Sequence, residues 1–89
     1  MKIQKAVAQF YNLKVSDITS KSRLRSISRA RQIAMYLAKN LTCDSLPKIA
    51  REFGKNHATV IHSVKIVQDL ISKDGSILQD VKNLESKLV

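Results

Sequence analysis

One cysteine, Cys43, leaves no partner for an internal disulfide and excludes a cysteine-based zinc site. A reducing cytoplasm is the simplest compartment consistent with that. Two glycines and one proline are too few turn residues for a sandwich or barrel, while 44% hydrophobic residues are too many for a disordered chain. No apolar run approaches the ~18–20 residues of a membrane span. The opening "MKIQKAVAQFY" interleaves polar and apolar residues and so lacks the core of a signal peptide. Period-two alternation is never sustained long enough for a strand. A G-x-x-x-x-G-K-[ST] loop is missing, so no ATP site of that kind is expected. His57 and His62 lie about 140° apart around a helix, which does not converge on a metal. No spacing of carboxylates, or of nucleophile and base, supports catalysis, so no enzyme activity is expected.

Acidic side chains are also scarce, and unevenly so. Sixteen Lys+Arg against seven Asp+Glu give +9 over 89 residues, with a sequence pI near 10.1. Residues 1–43 hold nine of the cations and one acid, Asp17, whereas residues 44–89 hold seven cations and six acids. The densest stretch, "KSRLRSISRAR" at 21–31, has five cations and no anion. A solvated surface kept for solubility does not require such clustering; a polyanionic partner, nucleic acid or acidic membrane, does.

The apolar spacing predicts an all-α domain of about six helices around one core. Ile3, Ala6, Val7 and Phe10 place a first helix over about 2–12, and "KVSDI" a short second one with Ser16 as N-cap. Ile27, Ala30, Ile33, Ala34, Leu37, Ala38 and Leu41 stripe a long scaffold helix at about 26–42, with Arg29, Gln32, Tyr36 and Lys39 on its other face. Ser45 caps a helix over about 45–53 that carries Pro47 in its first turn and stops at Gly54. Another begins at His57 and runs to about 72, with Val60, Ile61, Val64, Val67 and Ile71 as its apolar stripe. Asp74-Gly75 breaks it before a last helix bearing Ile77, Val81, Leu84 and Leu88.

Two helices joined through Gly54-Lys55-Asn56 have the offsets of a helix-turn-helix, whose second helix offers its first residues to the major groove. His57, Ala58 and Thr59 precede the apolar stripe, where exposed, short, readable groups are needed. Each has a plainer alternative. Asn56 caps the helix or meets a base; His57 packs or meets DNA; Thr59 bonds its own turn or a phosphate. Lys55 and Lys65 face phosphate or water, and Cys43 is a small semi-buried residue. Upstream, "SKSRLRS" lacks apolar periodicity and reads as an exposed arm. An arginine there, Arg23 or Arg25, suits the narrow minor groove, and Arg29 and Arg31 suit phosphates.

The segment "SLPKIAREFGKNHATVIHS", preceded by "SKSRLRSISRARQIAMYLAKNLT" and the opening "IQKAVAQFYNLKVSDI", resembles the C-terminal DNA-binding domain of the DnaA family of bacterial replication initiators. The resemblance covers nearly the whole chain. It implies a six-helix domain that binds a short box, similar to TTATNCACA, in duplex DNA at the replication origin. By position it makes Arg23 the minor-groove arginine and Asn56, His57 and Ala58 the major-groove readers. Arg31, Gln32, Lys39, Leu46, Pro47 and Thr59 become sugar–phosphate contacts, joining Arg25, Arg29 and Lys55 from the charge pattern. The chain departs from the family in a turn one residue shorter, in Asn56 for the usual Asp, in Ala58 for a common Thr, and in Lys48 where an acid often completes the capping box. No ATPase module is present, so the chain looks like a C-terminal fragment, with ATP expected only for the absent module. A monomer is expected for the isolated domain, an oligomer on the origin for the full-length protein, and a cytoplasmic, nucleoid-associated location. A repressor or transposase head would instead dimerise on a palindrome. A helical interaction module would contact a replication regulator or acidic phospholipid.

Overall fold

A computed structural model gives the fold, and it describes residues 1–88. Six helices follow in order: α1 Lys2–Phe10, α2 Val15–Ile18, α3 Arg25–Leu41, α4 Leu46–Phe53, α5 His57–Lys73 and α6 Gly75–Leu88. No strand occurs among the described residues. The scaffold expectation holds, since α3 packs against every other helix. Its buried face is Ala30, Ile33, Ala34, Met35, Leu37 and Ala38. The three alanines let neighbouring helices approach closely, and the larger side chains interdigitate with Ile49, Phe53, Val60 and Val67 from α4 and α5. From the other side Ile3 and Val7 of α1 and Ile77, Val81 and Leu84 of α6 close the same core.

The ends of the helices show why the chain turns where it does. Ser45 accepts from Lys48 N at 3.3 Å to start α4. Gly54, in the left-handed region at φ 65°, ends it: Lys55 N donates to Ala50 O and Gly54 N to Arg51 O. A Cβ on Gly54 would meet nothing within 4 Å, so an alanine there suffers only backbone strain. Gly54→Ala is therefore expected to lower stability by ~1 kcal/mol, and Gly54→Asn by less, as read by urea denaturation. Asn56 starts α5 by accepting from Thr59 N at 2.9 Å. Asp74 does the same for α6 through Ser76 N and Oγ at 2.9 and 2.7 Å, and these bonds hold its carboxyl below the usual range.

Several local expectations are corrected. α1 stops at Phe10 rather than 12, because Asn12 takes a left-handed turn at φ 58° and Leu13 N reaches back to Ala8 O. Asparagine, after glycine, is the residue that most readily adopts that conformation. Ser16 does not cap α2; the cap position is Lys14, two residues earlier, and Lys14 N donates to Asp17 Oδ2 at 3.0 Å. Leu41 and Ile61 are both 39% exposed instead of joining their stripes, and Ser63 takes the buried place on α5. Cys43 is exposed, not semi-buried. One tie across the fold is Tyr11, whose hydroxyl donates to Asp80 at 2.8 Å; burial first, and then that carboxylate, push its ionisation upward.

Candidate nucleic-acid interface

The turn between α4 and α5 leaves Asn56, His57 and Ala58 exposed and Thr59 partly covered. The local readings of Asn56 and Thr59 are present in the fold: Asn56 Oδ1 takes both the amide and the hydroxyl of Thr59, the latter at 3.0 Å. Both side chains thus build the helix start, and His57 and Ala58 stand free on its first turn. No helix-internal partner uses the first N–H groups of a helix, so this end of α5 is favourable for an anion.

The second component is the arm between α2 and α3. Arg23 and Leu24 are exposed, Leu24 at 66%, and Arg25 begins α3. The arm's backbone is not loose. Ser22 N donates to Ser20 Oγ and Leu24 N to Ser22 Oγ, at 3.1 and 3.3 Å. Arg31 binds it from α3: Nε donates to Ile18 O at 2.9 Å, Nη1 to Ser22 O at 3.2 Å, and Nη2 to Asp17 O and Ser20 Oγ. With 9% of its surface exposed, Arg31 has its donors engaged by the protein, where the sequence pattern had suggested a phosphate. Its burial also disfavours the charged form and depresses the guanidinium's ionisation.

Arm and turn meet across an open cleft of about 510 Å³. Lys21, Arg23 and Arg31 line one side, Lys55, Asn56 and Thr59 the other, and no acid faces it among the described residues. Lys55 Nζ donates to Ser20 O at 3.0 Å; desolvation, then Arg31 and Lys21, lower its affinity for the proton. An adjoining hollow of about 230 Å³ collects Arg23, Arg25, Arg29 and Gln32, so Arg23 stands between the two. Arg29 Nε and Gln32 Oε1, on two of its lining residues, are buried without a hydrogen-bond partner among the described residues. Lys39 and Pro47 are exposed and Leu46 half-buried, all outside both hollows. Sequence reasoning passed over Lys21, Ser22 and Ser28, which line the cleft. The only hint was that these polar residues sit among the clustered cations.

Among the described residues no group of His, Cys, Asp and Glu could hold a metal ion. No helix among the described residues is long and apolar enough to cross a membrane. Residues 1–67 match a family described as "Bacterial dnaA protein helix-turn-helix". The chain is 52% identical over 87 residues to the chromosomal replication initiator protein DnaA of Ehrlichia ruminantium (strain Gardel), covering 97% of this chain and 19% of that protein. It is 52% identical over 84 residues to the protein of that name from Wolbachia pipientis wMel, covering 93% and 18%. With that of Ruegeria sp. (strain TM1040) it shares 48% over 87 residues, covering 97% and 18%. The chain thus spans about a fifth of the length of the curated relatives it matches. Helix order, turn geometry and these likenesses agree: the chain belongs to the bacterial DnaA helix-turn-helix family.

Proposed function

We propose that this domain anchors a replication initiator to its origin by binding single DnaA boxes in duplex DNA as a monomer. The observation that carries the reading is the acid-free cleft that puts Arg23 on the same side of the molecule as Asn56 and Thr59. A duplex laid across it has α5's first turn in the major groove, where Asn56, His57 and Ala58 address base edges. Arg23 then enters the adjacent minor groove, whose negative potential is deepest where it is narrow. Arg25, Arg29, Gln32, Lys39, Lys55, Thr59 and the start of α4 at Leu46 and Pro47 lie against the sugar–phosphate backbone. Arg31 adds its field to the cleft while it shapes the arm.

The two kinds of contact do different work. Phosphate neutralisation releases counterions, so affinity falls with salt by a slope of about −0.9 per phosphate met. Base contacts set the preference for the box. Nucleotide switching and origin opening fall to segments outside this chain, where ATP would bind, and oligomers form on the origin through the full-length protein at the nucleoid. The test is a titration of the box and a scrambled duplex at several salt concentrations, with sedimentation on one asymmetric box. A single protein per box and a clear box preference are expected. Lys39→Ala is expected to weaken both duplexes alike and reduce the salt slope by about 1. A dimer that needs a palindrome would point to a repressor-like head, and negligible duplex binding at moderate salt to a protein-interaction module; either result refutes the proposal.

A further inference from the structure

Burial, and after it the neighbouring cations Arg31 and Lys21, disfavour the charge on Lys55. A lysine that served only as a phosphate contact would gain from swinging outward to water. Lys55 instead points inward and donates to Ser20 O, 35 residues away in the chain. Among the described residues, this is the one hydrogen bond that joins the α4–α5 turn directly to the arm. It lands on a segment that Arg31 already holds through Ile18 O and Ser22 O. Arg31 gives the arm its shape, but it belongs to α3. Lys55 is adjacent to the capping Asn56 and one residue further from His57, so its bond references the arm to the recognition helix itself.

We infer that Lys55 is a positioning residue: its bond to Ser20 O sets the distance between Arg23 and the first turn of α5, so that both grooves are read in one register. The inference rests on the two-groove reading above. Ser20 precedes Arg23 by three positions, and Arg31 still holds Ser22 O when the Lys55 bond is lost. What is released is the arm's position against the α4–α5 turn, not its shape, and a shift of about 1 Å is enough to break a direct hydrogen bond to a base.

The experiment uses Lys55→Met, which keeps the length and removes the donors, and Lys55→Arg, which restores them. Amide hydrogen exchange of residues 20–24 in the free protein reports the tether without DNA. For Lys55→Met we expect exchange there to rise ~tenfold while the core helices stay protected. Box-over-scrambled preference should fall roughly fivefold, and the loss caused by Arg23→Ala should shrink by about half or more in the Lys55→Met background. Lys55→Arg should return all three readouts towards the starting protein. Equal weakening of both duplexes, with exchange unchanged and Arg23→Ala undiminished, would make Lys55 a phosphate contact alone and overturn the inference. Faster exchange with an undiminished Arg23→Ala effect would overturn it too, since the tether would not serve reading. A starting protein with no box preference would instead refute the docking proposal, whatever the exchange data say.

Discussion

Arg23→Ala and His57→Ala are each expected to cost ~1–3 kcal/mol on the box while a scrambled duplex loses little beyond one charge contact. The reasoning begins with exposure. Both side chains are exposed, and neither has a hydrogen-bond partner among the described residues, so their removal is expected to leave the folded domain intact. In the proposed docking, what is lost is contact with bases in two different grooves, so the double variant should show additive losses within ~0.5 kcal/mol. Competition titrations with the two duplexes, at one fixed salt concentration, provide the measurement. Equal loss on both DNAs for the two single variants would refute the reading roles.

Arg31→Met should act on the fold instead. The guanidinium donates to three backbone carbonyls and a serine hydroxyl, with the Ile18 bond fully buried. Methionine fills part of the volume but leaves those acceptors without donors. Hydrogen bonds from a charged group contribute more than neutral ones, and orphaned buried acceptors add a desolvation cost. A loss of about 3 kcal/mol in urea denaturation is expected, with the melting temperature falling by roughly 10–20 °C. Box binding should suffer as well, since the arm that carries Arg23 loses its support. Stability unchanged within ~1 kcal/mol would show that the arm stands without this residue.

These two experiments separate what was legible in the chain from what was not. Ser45, Gly54 and Asn56 announce the ends of α4 and the start of α5, because capping is decided within a few residues. The alanine-rich stripe of α3 likewise marks the scaffold, and a residue that opens a helix ahead of its apolar stripe is bound to be exposed, as His57 is. Arg31 defeated that reasoning. Its partners lie 9 to 14 residues upstream and three of them are carbonyls, which every residue type offers equally. Ile61 failed for a related reason: periodicity allotted α5 a wider buried face than its neighbours cover, and small Ser63 fills the place where the packing is closest. The link from Lys55 to Ser20 joins distant segments through a carbonyl, and no local pattern announces it.

Asn56 carries one more implication. A backbone N–H from Thr59 fixes which end of the amide turns inward, and the threonine hydroxyl occupies the same oxygen. Only the NH₂ group remains to face outward, so the side chain has become a one-way polarity filter. In the proposed docking that group would find a lone pair opposite a purine N7 or a thymine O4, and would set hydrogen against hydrogen opposite a cytosine amine.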